Sequence, residues 1–138
     1  MTEKIKTINR LLINICSDKL PESRNFYTKL FDFEVSYDSD WFIHLVSKDK
    51  QFELGIIDRT NELVPEDYQK SPEGFYITIV VDSADAIYES ALEYNVGIIQ
   101  APKDTIYGQR RLLLKDPNGT MIDVSSPIEN FVFKSIDF

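Results

Sequence analysis

The sequence predicts an α+β fold in which two β-α-β-β-β repeats form a shared curved sheet. An apolar run ending in Asp recurs 64 positions later, as residues 13–18 and 77–82. Each run is followed by helical and then strand-like patterns. Near the end of the chain, the Asp116-Pro-Asn-Gly119 segment predicts a tight turn between two strands, because Pro117 fixes its own φ and Gly119 accepts a positive φ. Such a repeat predicts that neither unit buries its sheet alone.

The first repeat covers about residues 8–57. Its first strand is the Ile- and Leu-rich run from Ile8 to Cys16. Pro21 suits the first turn of the helix that follows, and this helix has apolar residues at a spacing of three to four. Those residues are Phe26, Tyr27 and Leu30. Three short strands are then expected at residues 33–37, 41–46 and 51–57.

A polar linker at residues 58–74, with one helical turn around residues 66–68, separates the repeats. The second repeat covers about residues 75–127. Ser83 is the expected N-cap of its helix, with Asp85 in the first turn. Its strands are expected at residues 75–81, 96–99, 111–114 and 120–124, with the longest connection at residues 100–109. The apolar tail, residues 128–138, is expected to pack on the body or on a second subunit.

Length and composition predict a single domain over residues 1–138. No apolar run reaches the ~18 residues that a membrane span needs, so we expect a soluble, cytoplasmic protein with no membrane partner. Cys16 is the only cysteine, so no intramolecular disulfide can form, and its apolar context favours packing. The net charge of −8 argues against nucleic acid as a partner.

Strand alternation predicts which side chains line a shared cup. If one face of each strand packs on the helices, the other face forms a surface that we call the cup face. Helix-facing positions are all aliphatic, whereas cup-face positions are mixed, as in a binding pocket. The predicted cup residues are Leu12, Asn14, Phe42, His44, Glu53, Gly55, Tyr76, Thr78, Met121 and Asp123.

Each polar candidate also has a purely structural interpretation. Glu53 and Asp123 could form ion pairs with Arg110, Arg111 or Lys115, and Asn14 and Thr78 could bond to each other. His44 could be an ordinary strand residue. Tyr107, like Trp41, could stack on a ligand or anchor a loop. Arg110 could clamp a ligand carboxylate or brace its loop, and we favour bracing.

These patterns resemble the vicinal oxygen chelate superfamily, which contains glyoxalases, bleomycin-resistance proteins and dihydroxybiphenyl dioxygenases. The resemblance covers residues 8–127. It depends on Ser23-Arg-Asn-Phe-Tyr27 leading into Leu30-Phe-Asp-Phe33, and on Tyr107-Gly-Gln-Arg110 leading into Asp116-Pro-Asn-Gly119. It implies a glyoxalase-like fold and, for most members, a homodimer, in which each cup could be completed by the partner.

The resemblance also implies four positions for metal ligands in this sequence. They fall on Leu12, Glu53, Tyr76 and Asp123, with Glu53 aligned on Asp123 at an offset of 70 residues. Leu offers no donor and a neutral Tyr is a poor ligand, so no metal cofactor is expected. A site made of Glu53, Asp123 and His44, the only histidine, stays open as an alternative.

Two functions follow from different classes. The first is a metal-independent protein that binds a small aromatic or cationic compound, such as a drug, as bleomycin-resistance proteins do. The second is a metal-dependent lyase, isomerase or dioxygenase that uses Glu53 and Asp123. Metal-free acid and base catalysis by His44 with Glu53 or Asp123 is a third hypothesis. Whether the chain is an enzyme is left open.

Overall fold

The computed structural model describes residues 6–129. Its strands and helices follow one another in the predicted β-α-β-β-β order, twice. They are β1 (Ile13–Ser17), α1 (Leu20–Phe31), β2 (Glu34–Asp38), β3 (Phe42–Val46), β4 (Glu53–Asp58), a 3₁₀ turn (Glu66–Tyr68), β5 (Tyr76–Val80), α2 (Ala84–Glu93), β6 (Gly97–Asp104), β7 (Gln109–Lys115) and β8 (Met121–Pro127). The predicted fold class is confirmed.

The eight strands form two four-stranded sheets of equivalent topology. The first has the order β1-β4-β3-β2 and the second has the order β5-β8-β7-β6. In each sheet the first and last strands of the repeat pair in parallel and the remaining neighbours are antiparallel. Within residues 6–129 no ladder joins the two sheets, so the halves are held together by helix packing and side-chain contacts.

The helices begin and end where the sequence provides the signals. Pro21 lies in the first turn of α1, where a missing N–H costs nothing, and Asp32 ends the helix in the left-handed conformation. Ser83 caps α2 by accepting a hydrogen bond from the Ala86 N–H at 3.1 Å. Both capping predictions for the second helix, Ser83 and the first-turn Asp85, are confirmed.

A single hydrophobic core joins both halves. Its members come from the helix-facing side of each sheet and from the facing stripes of α1 and α2. Fully buried members include Ile15, Ile56, Leu112, Ile122 and Val124. Each such side chain stabilises the fold by about 1.5–3 kcal/mol relative to exposure. Because the core spans both repeats, neither sheet is buried without the other half.

The turn between β7 and β8 contacts the first half through buried polar groups. The Asp116 carboxylate accepts hydrogen bonds from the backbone N–H groups of Asn118 and Thr120, at 2.8 and 2.9 Å, and Gly119 has a φ of 86°. The Asn118 amide donates to the Ser23 hydroxyl at 2.9 Å and accepts from the Ser17 hydroxyl. This turn therefore fixes the two halves relative to each other.

Two strand boundaries differ from the sequence prediction by five residues, and the others by at most three. The first strand begins at Ile13 rather than Ile8. Its partner β4 begins at Glu53, which lies opposite Leu12 in the Ile13–Leu54 register, so residues 8–11 have no strand of the first sheet beside them. Strand β6 runs to Asp104, so the connection predicted at residues 100–109 is only residues 105–108. Two register shifts in the β6–β7 ladder take up the extra length.

The tail prediction falls mostly outside the described residues, which end at Glu129. Ile128 is described and donates its N–H to the Gly108 carbonyl at 2.8 Å. No helix within residues 6–129 is both long enough and apolar enough to cross a lipid bilayer.

Candidate ligand-binding site

The cup face of the first sheet is organised in rows across β1, β4 and β3. Asn14 pairs with Gly55, which pairs with His44, and this forms one row. The next row, formed in the same way, contains Cys16, Ile57 and Phe42. Side chains on one face of a strand recur every second residue, so Glu53, two residues before Gly55, lies on this face of β4.

A cavity of about 440 Å³ lies over this face and is bounded by the linker. The walls are mainly aliphatic and aromatic, and the Asn14 amide supplies a polar group. The lining residues are Leu12, Asn14, Cys16, Trp41, Phe42, Ile57, Leu63, Val64 and Pro65. The Trp41 and Phe42 rings lie with their centroids 5.6 Å apart. An apolar wall with few directed polar groups is typical of a small-molecule site.

Gly55 lies at the centre of the face, and neighbouring side chains cover it. A Cβ atom at this position would lie 2.1 Å from the Asn14 Oδ1 atom and 2.8 Å from the Phe42 ring. Both distances are far below van der Waals contact. Because Gly55 has no side chain, the Asn14 amide and the Phe42 ring can occupy the space above it and form one polar and one aromatic wall of the cavity.

Beside this cavity, Glu53 is held by two basic groups. The Arg10 guanidinium donates from Nε to Oε2 at 2.6 Å and from Nη2 to Oε1, which makes the pair bidentate. His44 Nε2 lies 2.8 Å from Glu53 Oε1. The hydrogen bond from Arg10, aided by the one from His44, lowers the pKa of Glu53 from 4.5 to about 2. Glu53 is therefore a carboxylate at neutral pH.

In the second sheet, Asp123 is similarly engaged. Its carboxylate accepts hydrogen bonds from the Ser125 hydroxyl at 2.8 Å and the Thr78 hydroxyl at 3.2 Å, and it lies 3.3 Å from Arg111 Nε. Tyr76 is on the same face and is half exposed. The sequence predicts Arg111 as a possible ion-pair partner of Asp123. It does not predict Arg10, which is the partner of Glu53.

The predicted site residues thus separate into groups. Leu12, Asn14 and Phe42 line the cavity, and His44 and Glu53 lie beside them on the same face. Tyr76, Thr78 and Asp123 lie on the other sheet, away from the cavity. Asn14 and Thr78 are therefore on separate sheets, and no hydrogen bond joins them in the part of the chain described.

Arg110 and Tyr107 lie elsewhere. Arg110 is bound by Asp85 at the start of α2 and by Asp104 at the end of β6, at 3.1 and 2.9 Å, which braces that corner of the second half. These hydrogen bonds raise the pKa of Arg110. Tyr107 lies in the β6–β7 connection and is half exposed. Neither residue contributes to the cavity wall.

The pairing registers correct the alignment of the two repeats. Asn14 pairs with Gly55, and Thr78, which is 64 positions after Asn14, pairs with Asp123. Gly55, rather than Glu53, is therefore the counterpart of Asp123. The offset of 70 was wrong because the last strands of the repeats were matched by residue type, without the ladder that fixes their register.

Several site residues were not found from the sequence. Arg10 lies in an irregular segment before β1, where no periodicity indicates its direction. Leu63, Val64 and Pro65 belong to the linker, and only the folded path brings them over the sheet. Cys16 and Ile57 could have been found, since they continue the same alternation as Asn14 and Gly55.

The residues present do not fit a divalent metal ion. Leu12 offers no donor, and Glu53 and Asp123 each face an arginine and already accept hydrogen bonds. Within residues 6–129 no three His, Cys, Asp or Glu side chains are grouped closely enough to hold an ion. Three donors in fixed geometry are the usual requirement.

Solved structures with the same fold share low sequence identity with this chain. A family enzyme from Burkholderia phytofirmans is 22% identical, with a TM-score of 0.73 over 85% of this chain and 97% of that one. A member from Sphaerobacter thermophilus is 19% identical, with a TM-score of 0.71 over 88% and 99%. The antibiotic-binding protein TnmS3 from a Streptomyces species is 19% identical, with a TM-score of 0.69 over 90% and 99%.

The family assignment comes from the sequence as well as from the fold. None of the functionally curated proteins compared with the chain matches it significantly. The family model for the Glyoxalase/Bleomycin resistance protein/Dioxygenase superfamily matches residues 7–124, which includes both repeats and the linker. The chain therefore belongs to the glyoxalase, bleomycin resistance protein and dioxygenase superfamily.

Proposed function

We propose that this protein binds a small planar aromatic or cationic compound, such as a drug, without a metal ion, in the cavity on the cup face of the first sheet. The observation that carries the proposal is the cavity itself, whose walls are aromatic and aliphatic with the Asn14 amide as a directed polar group. Binding by such a site needs affinity and no reaction.

Two further observations support this function over the metal-dependent alternative. The carboxylates at the positions implied for metal ligands are each paired with an arginine, so displacing the arginine would be a cost of metal binding. Similarity to an antibiotic-binding protein of the same fold agrees with a binding role. We therefore propose no Lewis-acid step for this chain.

We also propose that the protein is a homodimer. The cup face of the second sheet exposes apolar side chains, including Tyr76 and Val80, which are 52% and 65% exposed. A second copy that covers this face would remove that apolar surface from water. Sedimentation velocity at several protein concentrations tests this, and a monomer throughout would contradict it.

The chain provides internal reporters for testing the cavity. Trp41 is the only tryptophan and Cys16 the only cysteine, and both line the cavity. A panel of planar aromatic compounds should include members that change Trp41 fluorescence and slow the labelling of Cys16 by a thiol reagent. A panel in which no compound does either would refute the proposal.

A matched pair of variants assigns the binding to this cavity. Phe42→Ala removes an aromatic wall and should weaken binding about tenfold. Phe52→Ala removes an aromatic side chain that is 62% exposed and is not part of the cavity wall, so it should leave affinity unchanged. Equal effects of the two substitutions would place the binding elsewhere.

A further inference from the structure

The pairing of Arg10 with Glu53 indicates what the cavity's ligand carries. We infer that Arg10 occupies a subsite for a planar cation, so that the ligand is an aromatic compound with a guanidinium or amidinium group that displaces Arg10 from Glu53. This inference rests on the proposed function, because it names the chemical class of the molecule bound in the same site.

The subsite lies beside the cavity, on the same face of the first sheet. Glu53 precedes Gly55 by two residues on the cup face of β4. Leu12, which lines the cavity, lies next to Glu53 on the neighbouring strand position, because Ile13 pairs with Leu54. Two residues along a strand span about 6.6 Å. From Ile57 on the cavity floor to Glu53 is therefore about 13 Å along β4, which a molecule of two aromatic rings with a terminal charged group can span.

The shape of the ion pair selects the cation. Arg10 presents two parallel N–H groups to the two carboxylate oxygens, at 2.6 Å for Nε and Oε2 and through Nη2 to Oε1. A guanidinium or amidinium offers the same fork, whereas an ammonium is a point charge without it. His44 remains beside Oε1 and holds the carboxylate in place during the exchange.

Arg10 is suited to be displaced. Its side chain is 60% exposed, whereas that of Glu53 is only 13% exposed. The segment before β1 has no ladder partner in the described structure, so moving Arg10 breaks no sheet hydrogen bond. Water reaches the Arg10 side of the pair, so an incoming cation with the same two donors can replace Arg10 contact for contact at a carboxylate that is mostly buried.

Three probes of equal shape and different charge test the inference. They are biphenyl-4-carboxamidine, biphenyl-4-carboxamide and biphenyl-4-carboxylate, each titrated while Trp41 fluorescence is recorded and Cys16 labelling is measured in parallel. The amidine should bind most tightly. Arg10→Ala should tighten amidine binding about threefold to tenfold by removing the competitor, and leave carboxamide binding unchanged. Glu53→Gln should make the affinities for amidine and carboxamide equal.

A matched variant controls for the change in net charge. Arg24→Ala breaks another arginine–carboxylate pair of the first half, with Asp38 at 2.7 Å, and should not alter amidine affinity. Thermal unfolding of each variant checks that it is folded. The inference is overturned if amidine and carboxamide bind equally to the wild type and to Arg10→Ala, or if the carboxylate binds best and loses affinity in Arg10→Ala. Those outcomes would leave the proposed function intact, and so would binding of none of the three probes, which overturns the inference alone.

Discussion

Tyr27 of the first repeat donates a hydrogen bond from its hydroxyl to Asp116 of the second, at 2.7 Å, and both residues are buried. Burial, together with the negative charge of Asp116, raises the pKa of Tyr27 well above its usual value. The phenol is therefore a neutral donor at neutral pH, and the contact joins α1 to the β7–β8 turn.

Tyr27→Phe should destabilise the protein by about 1–3 kcal/mol, because the Asp116 carboxylate loses a donor in a buried position. The free energy of unfolding in urea measures the effect. Tyr68→Phe is the control, since Tyr68 is 69% exposed and should change stability by less than about 0.5 kcal/mol. Equal stability of the two variants would show that the contact between repeats contributes nothing.

Glu53 should make stability depend on pH in the acid range. Because its pKa is about 2 in the folded chain and 4.5 ordinarily, the stabilisation is complete above pH 4.5 and is lost as the pH falls toward 2. Glu53→Gln should therefore be less stable than the wild type near neutral pH, and the difference should shrink as the pH is lowered.

Urea unfolding at a series of pH values between about 7 and 3 measures this difference, over the window set by the linkage between protonation and folding. Glu62→Gln, which changes an exposed carboxylate of the linker, is the matched control. A difference between wild type and Glu53→Gln that stays constant across the series would contradict the ion-pair assignment.

Gly55→Ala should weaken ligand binding while leaving the sheet intact. The new methyl group would overlap the Asn14 Oδ1 atom and the Phe42 ring, so both walls must move. We expect at least about a tenfold loss of affinity, equivalent to 1.4 kcal/mol. Gly97→Ala is the control, because its nearest neighbour would lie 3.5 Å away, an ordinary contact. Unchanged affinity in Gly55→Ala would exclude this cavity as the ligand site.

Metal ions should neither bind stoichiometrically nor stabilise the protein. Thermal unfolding should shift by less than about 1 °C with Zn²⁺, Ni²⁺, Mn²⁺ or a chelator, because a ligand that does not bind the native state cannot stabilise it. Elemental analysis should give much less than one ion per chain. One ion per chain that is lost in Asp123→Ala would revive the metal-dependent alternative.

The sequence was most informative where a repeating period constrains side chains. Ile43 and Leu45 are buried while Phe42 and His44 lie on the other face, as alternation requires. Alternation fixes a face and does not fix a partner, which is why Glu53 was placed on the cup face but its pairing with Arg10 was missed. Residues 63–65 line the cavity only because of the path that the linker takes in the folded chain, and no local sequence pattern predicts that path.

The register shifts in the two repeats have a consequence for association between molecules. Strands β2 and β6 are outermost in their sheets, and each ladder that joins them to a neighbour contains a bulge. Bulged edge strands, here with Pro102 and Lys103 in β6, discourage uncontrolled edge-to-edge aggregation. The opposite edges, β1 and β5, pair without interruption. Regular pairing with a further strand is therefore easier at the β1 and β5 edges than at the β2 and β6 edges.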